Sequence, residues 1–245
     1  MSGVYTHRYL VGAGETDCFG HCRPSSLLYF LQDAATHHAQ ALQASREDLM
    51  ESHGAIWLLT RQWFSLRRPL RSREELSIET WHRGPQGASF YRDFSLFCGD
   101  EFVGEALSVW VVADQTTFRV LRPSSLPPMR TADDPARARD KLLQKLSPPE
   151  QLAEAAPRMV RYSDLDINRH CNNVRYADMI CDALELHRLP DAFVRALQIN
   201  NSAECRAGEA LTLRHGLQPN GVRYVMGCGP EGTRRFDAEI TVDGG

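Results

Sequence analysis

The chain has 245 residues, of which 42% are hydrophobic and 24% are charged, with a formal net charge of -3. This composition is typical of a folded soluble protein with one large domain or two ordinary ones. Because there is no global basic field, neither nucleic acid nor an anionic membrane is expected as the main partner. The seven cysteines form no Cys-x-x-Cys motif, and no secretory signal or membrane span stands out, so we expect a cytoplasmic protein.

The first half of the chain is predicted to be a strand, a long helix and an antiparallel meander. A strand at 4–11 leads through a polar loop to Pro24, from which apolar residues recur at helical spacing for about 18 residues. One long helix followed by antiparallel strands indicates an α+β fold. Strands are then expected at residues 55–66, 75–82, 89–97, 102–112 and 118–121.

A proline-rich stretch separates the two halves of the sequence. Residues 123–149 contain six prolines and little periodicity, which is typical of a linker. We therefore predict an N-terminal domain at 1–128, a linker at 129–150 and a C-terminal domain at 151–245. The second half repeats the order of the first, with a helix at 172–187 and strands at 158–162, 194–202, 211–218, 222–228 and 235–242.

A short motif supports this repeat. The pattern Asp-x-x-x-His-Cys occurs at residues 17–22 and again at 166–171, each time before the only long helix predicted in that half. This agreement indicates an internal duplication. Where the second copy has Asn168, the first has Phe19, so we expect the second half to be catalytic. The aspartate and histidine of the first copy are a decayed site, a pair that orders the loop, or a second active site.

Residues 161–176 concentrate polar groups, with two acids, an imidazole, three carboxamides and a thiol. The amide of Asn168 and the imidazole of His170 can hydrogen-bond a developing oxyanion or a water, and Asp166 can orient the amide or hold a proton. These are groups that acyl transfer uses. The alternative is that Asp and Asn gather here only to cap a helix and form turns.

The run Ser-Asp-Leu-Asp-Ile-Asn-Arg-His-Cys-Asn-Asn-Val-Arg-Tyr at 163–176 closely resembles the signature of the acyl-ACP thioesterases of plants and bacteria. The likeness covers nearly the whole chain. It implies an α+β double hotdog fold, with two tandem hotdog domains that each wrap a long helix in an antiparallel sheet. Further stretches that resemble this family are 56–61, 78–81, 108–112 and 204–206.

The resemblance also implies the site residues, which are Asp166, Asn168, His170 and Glu204. It implies no cofactor and no metal. The implied partners are acyl carrier protein (ACP) with its acyl-phosphopantetheine, and the fatty acyl thioester itself as substrate. Two departures from the family pattern are Cys171, where an aliphatic residue is more common, and residues 201–203, where the family often has an arginine before the glutamate.

The expected function is hydrolysis of fatty acyl-ACP to free fatty acid and ACP. In this hypothesis Glu204 and Asp166 position and deprotonate a water, while Asn168 and His170 polarise the carbonyl. Cys205 is a rival nucleophile, because it could form a Cys-His-Asn set with two of these residues. If Glu204 and Cys205 share a strand, their side chains point to opposite faces, and we prefer Glu204 as the one at the site.

Other functions and assignments stay open at this point. An acyl-CoA thioesterase, a hotdog hydratase or dehydratase, and a non-catalytic acyl-binding hotdog protein are the alternatives. The arginines near 67–73 are a solvated turn or a basic patch that docks the acidic ACP. His37 and His38 are interpreted as packing or surface residues and not as metal ligands. A monomer and a homodimer are both compatible with tandem domains.

Overall fold

The computed structural model describes residues 3–126, 131 and 140–244. The chain divides into two compact units, neither of which is one continuous segment. The N-terminal unit contains Met1–Leu10, Phe30–Phe64 and Glu74–Leu143, and the C-terminal unit contains Val11–Tyr29, Ser65–Arg73 and Gln144–Gly245. The domain boundaries proposed from the sequence stay predictions. Residues 129–130 and 132–139 of the expected linker lie outside the described residues.

The N-terminal unit is built on an antiparallel sheet with strand order β1-β3-β4-β5-β2. The central strand β4 is buried along most of its length, and Phe90 of this strand packs with Trp57 and Val112 in an apolar cluster. The first 10 residues of β2 belong to this unit. The strands are β1 (Val4–Leu10), β2 (Ala55–Leu66), β3 (Glu75–Gln86), β4 (Ser89–Cys98) and β5 (Glu101–Asp114).

The C-terminal unit has the strand order β8-β11-β10-β9-β6, and β7 also pairs with β9. The short strands β6 and β7 can be counted together as the first of five strands in this unit. Read from that strand across the sheet, the order is first, third, fourth, fifth, second, which is also the order in the N-terminal unit. The strands are β6 (Ala153–Glu154), β7 (Arg158–Met159), β8 (Phe193–Asn201), β9 (Ala210–Leu217), β10 (Arg223–Cys228) and β11 (Arg234–Asp243). The α+β class is therefore confirmed.

The helices agree with the sequence in part. Helix α1 (Pro24–Ala41) has 18 residues, as its apolar periodicity predicts. Helix α3 (Arg175–Ala183) is shorter than the predicted 172–187, because the backbone turns left-handed at Glu185. Among the described residues, none of the helices combines the length and apolarity needed to cross a lipid bilayer.

Helix α2 (Arg46–His53) was not predicted, although its sequence signals are clear. Ser45 and Asp48 form a reciprocal capping box, and Gly54 ends the helix in the left-handed conformation. The predicted strand at 118–121 is wrong, because Val120 makes only an isolated bridge there.

Candidate active site

A tight backbone loop carries three of the four predicted site residues. The N–H of Asp166 donates to the carbonyl of His170 (2.9 Å), and the N–H of Arg169 donates to the carbonyl of Asp166 (3.0 Å). Arg169 takes a left-handed φ of 63° to close the turn, and a bridge between Leu165 and Cys171 fixes the base of the loop. The loop therefore has one well-defined backbone path.

The carboxylate of Asp166 organises the inside of this loop. Its Oδ1 accepts the backbone N–H of Asn168 (2.8 Å) and of His170 (3.4 Å). Its Oδ2 accepts the side-chain amide of Asn168 at 3.4 Å. Because these bonds use both carboxylate oxygens, Asp166 is suited to orient Asn168, which is one of the two roles expected for it.

Glu204 reaches the loop from the segment after β8. Its Oε2 lies 3.2 Å from Nδ1 of His170, and the two side chains are 49% and 26% exposed. The backbones of His170 and Arg206 are bridged, which holds the two segments side by side. An ionised carboxylate can only accept a hydrogen bond, so Nδ1 is the donor in this contact, and in the neutral tautomer of the ring the lone pair is on Nε2.

Cys205 has the surroundings of a structural thiol. Its side chain is fully buried, whereas the preceding Glu204 is exposed and contacts His170. The two residues lie in an irregular segment, so the strand alternation assumed in the sequence argument does not apply to them. The hydroxyl of Tyr176 donates to Sγ of Cys205 (3.3 Å), and burial raises the pKa of the thiol to about 11. A neutral, buried thiol is a poor nucleophile.

Tyr176 is a residue that the sequence analysis did not assign. It is 1% exposed and stacks on Phe236 with ring centroids 4.5 Å apart. Its position in the helix directly after the polar motif was a usable signal. Tyr176 therefore anchors α3 to the sheet and to Cys205.

The first copy of the motif folds into the same backbone loop. The backbone N–H of Asp17 donates to the carbonyl of His21 (2.8 Å), and that of Gly20 donates to the carbonyl of Asp17 (3.1 Å). The side-chain Oδ1 of Asp17 accepts the backbone N–H groups of Phe19 and His21 (2.9 Å each). His21 is only 6% exposed, and its Nδ1 lies 3.4 Å from the carbonyl of Ala192. These contacts favour the role of a loop-ordering pair.

The first loop lacks the groups that the second loop offers for catalysis. The N–H of Cys22 donates to the carbonyl of Leu70 (2.7 Å). In the second loop, the N–H of Cys171 donates in the same way to the carbonyl of Cys205 (2.8 Å), the residue after Glu204. By this match Pro69 takes the position of Glu204. The first copy has therefore kept the backbone but has neither the amide nor the carboxylate.

All four predicted site residues belong to the C-terminal unit. The structure joins Asp166 to Asn168 and His170, and joins His170 to Glu204. Among the described residues, no hydrogen bond joins Asp166 to Glu204. Within that part, no group of three or more His, Cys, Asp or Glu side chains is arranged to hold a metal ion.

Comparison with known proteins identifies the family. The family model for the acyl-ACP thioesterase N-terminal domain matches residues 2–124, and the model for the acyl-ACP thioesterase C-terminal domain matches residues 149–232. Two solved structures share the fold over nearly their full length. They are an acyl-ACP thioesterase from Bacteroides thetaiotaomicron (TM-score 0.85, 21% identity, 98% of each chain) and the 12:0-ACP thioesterase from Umbellularia californica (TM-score 0.78, 16% identity, 100% of this chain and 99% of that one).

The curated relatives are longer than this chain. The chain is 24% identical over 220 residues to the chloroplastic oleoyl-acyl carrier protein thioesterase of Coriandrum sativum, covering 82% of this chain and 59% of the relative. It is 26% identical over 212 residues to the chloroplastic palmitoyl-acyl carrier protein thioesterase of Gossypium hirsutum, covering 80% and 50%. The chain thus spans between half and three fifths of these relatives. The family models match most of the chain, which confirms the resemblance of its motifs: the protein belongs to the acyl-ACP thioesterase family.

Proposed function

We propose that this protein hydrolyses the thioester of fatty acyl-ACP, releasing a free fatty acid and the thiol of ACP. The observation that carries the proposal is the 3.2 Å contact between Nδ1 of His170 and Oε2 of Glu204, beside the loop of Asn168. A carboxylate that orients an imidazole is a common arrangement for activating a nucleophile. The names of the plant relatives support acyl-ACP as the substrate.

His170 is the proposed base. With its proton on Nδ1 facing Glu204, the imidazole accepts a proton at Nε2 from a water as that water attacks the thioester carbonyl carbon. Glu204 then stabilises the imidazolium. This assignment differs from the roles expected from the sequence, because in this tautomer Nε2 has no hydrogen to donate to the carbonyl.

Asn168 is the proposed donor to the oxyanion. The attack places a negative charge on the carbonyl oxygen, and the side-chain amide, oriented by Asp166, donates to it. The tetrahedral intermediate collapses by breaking the C–S bond, and His170 returns its proton to the departing sulfur. A thiolate is a good leaving group, so the proton transfer at this step is undemanding.

The proposed architecture is a double hotdog in which the second copy is catalytic. The common strand order of the two units and the matching loops at 17–22 and 166–171 support an internal duplication. A cytoplasmic location and a monomer or homodimer stay predictions, and the plant relatives above are named as chloroplastic.

The decisive experiment measures thiol and free fatty acid released from a panel of acyl-ACPs and acyl-CoAs of different chain length. We expect both products in equal amounts and a higher kcat/KM for acyl-ACP than for acyl-CoA. The Asn168→Ala variant should lose roughly 100- to 1,000-fold in kcat, because one oxyanion donor is removed. Gain or loss of water without thiol release would instead indicate a hydratase, and binding without turnover would indicate an acyl-binding protein.

A further inference from the structure

The N-terminal unit contains a buried polar cluster that the proposed reaction does not use. Arg92 of β4 lies opposite His82 of β3 and opposite Ser108 of β5, so the three side chains share one face of the sheet. Each of them is less than 9% exposed. We call the following residues the Arg92 cluster: His38 from α1, Thr80, His82, Arg92 and Ser108.

The guanidinium of Arg92 is a buried positive charge with neutral partners. Its Nη1 lies 2.8 Å from Nδ1 of His38 and donates to Oγ1 of Thr80 at 3.3 Å. Burial lowers the pKa of Arg92 to about 10, so the side chain is still charged at pH 7. Among the described residues, no carboxylate lies within ion-pair distance of it. A buried charge without a counter-ion costs several kcal/mol of folding free energy.

A second arginine on the same sheet shows the usual arrangement. Arg83 donates to both oxygens of Asp93, at 2.8 Å from Nε and 2.5 Å from Nη2. Asp93 follows Arg92 in sequence, but as the next residue on β4 it points to the opposite face. The carboxylate nearest in sequence to Arg92 is therefore committed to Arg83.

Several buried nitrogens near Arg92 also lack hydrogen-bond partners within the described part of the chain. They include Nε2 of His38 and both ring nitrogens of His82. Since Arg92 can only donate, Nδ1 of His38 accepts and the proton of this imidazole is on Nε2. Burial, with a smaller effect of Arg92, lowers the pKa of His38 to about 4 and of His82 to about 3, so both rings are neutral at pH 7. Each carries one N–H to donate.

On these grounds we propose that Arg92, His38 and His82 form a binding site for a carboxylate group. Because Nη1 is bound to His38 and Thr80, the guanidinium offers Nε and Nη2 to the two carboxylate oxygens, and the N–H of His82 supplies a further donor. His38 contributes by holding Nη1 of Arg92 in place. A monovalent anion balances the single positive charge, whereas a phosphate dianion would leave an excess negative charge in a buried place. A metal cation is disfavoured by the charge of Arg92. The proposal does not depend on the proposed hydrolysis.

Thermal unfolding in a zwitterionic buffer, with sodium acetate as the probe, tests the site. We expect a saturable rise in Tm of roughly 5–10 °C at about one hundred times the dissociation constant. Sodium chloride at the same concentrations and the neutral isostere acetamide should give clearly smaller rises. Octanoate in place of acetate distinguishes the source of the carboxylate: a tighter response assigns the site to a fatty acid, and a weaker one to a small carboxylate.

Two matched variants make the test specific. Arg92→Met should lose the acetate response and, without acetate, unfold at the same or a higher temperature than the wild type, since an uncompensated charge is removed. Arg83→Met should keep the acetate response but unfold at a lower temperature, because it leaves the buried carboxylate of Asp93 without its arginine partner. Equal acetate responses of the wild type and Arg92→Met, or no response at all, would overturn the proposal.

A crystal structure of the wild type grown in acetate gives a measurement that does not depend on the folding of any variant. Planar density about 3 Å from two guanidinium nitrogens of Arg92 would support the site. Only water, or a carboxylate of the protein itself, at these nitrogens would refute it.

Discussion

Replacing Glu204 by Gln tests the central contact of the proposed active site. The substitution keeps the size of the side chain but removes the negative charge that lies 3.2 Å from Nδ1 of His170. When the imidazole becomes protonated in the transition state, the two unit charges attract each other. At this distance the attraction is about 1.3 kcal/mol at the dielectric constant of water and about 5 kcal/mol at an effective value of 20.

The expected rate loss follows from these two limits. They correspond to roughly 10-fold and roughly 5,000-fold in kcat, and because both side chains are partly exposed we expect about 100-fold. KM should change little, since the neutral imidazole of the ground state gains far less from the carboxylate than the imidazolium does.

The assay is thiol release from purified acyl-ACP under saturating conditions. Glu185→Gln is a matched control, because Glu185 is 54% exposed and pairs with Arg188 on the surface of the same unit. This control should retain wild-type kcat. A Glu204→Gln protein that is folded and keeps at least half of the wild-type kcat would refute the reasoning.

A double-mutant cycle separates the two possible bases. If Glu204 acts through His170, the variant with both Glu204→Gln and His170→Ala should be no slower than His170→Ala alone. If Glu204 itself takes the proton from water, the double variant should lose a further large factor.

Three further predictions concern other parts of the molecule. Cys205→Ala should keep kcat within about threefold but lose roughly 1–3 kcal/mol of unfolding free energy, measured by denaturant titration, because a buried side chain and the acceptor of a hydroxyl are removed; trapping of an acylated Cys205 would contradict this. The pKa of His82 is lowered on folding, from 6.5 to about 3, so the unfolded chain binds the proton first and stability falls as the pH drops below about 6.5. By pH 5 this residue should account for about 2 kcal/mol of the loss, and His82→Phe should reduce the acid-induced loss by that amount. Charge reversal at Arg68 and Arg71 should raise KM for acyl-ACP and leave KM for acyl-CoA unchanged if this basic stretch docks ACP; an equal change for both substrates would argue against docking.

The loops at 17–22 and 166–171 share one backbone geometry but carry different side chains. Both copies use an aspartate to hold the N–H groups two and four residues later, and both are joined by a backbone hydrogen bond to a later segment. Only the second copy offers Asn168 and Glu204. The loop geometry is therefore a property of the fold, and the proposed catalysis depends on two side chains added to it.

The sequence by itself determined what depends on near neighbours along the chain. The length of α1 follows from its apolar periodicity, and most strands follow from the alternation of their side chains. The loop of Asp166 was recognisable because its hydrogen bonds join residues no more than four positions apart. Helix α2 also depends on near neighbours, because its capping box joins Ser45 to Asp48, so this helix could have been predicted from the sequence.

The tertiary structure alone decided the partners and the solvation of the functional groups. The contact of Glu204 with His170, the burial of Cys205 and the convergence of α1, β3 and β4 around Arg92 all join residues far apart in sequence. Burial and pairing set whether a thiol is neutral, which imidazole nitrogen holds the proton and whether a charge has a counter-ion. These properties come from packing, so residues that look alike in the sequence, such as Arg83 and Arg92, differ in the folded protein.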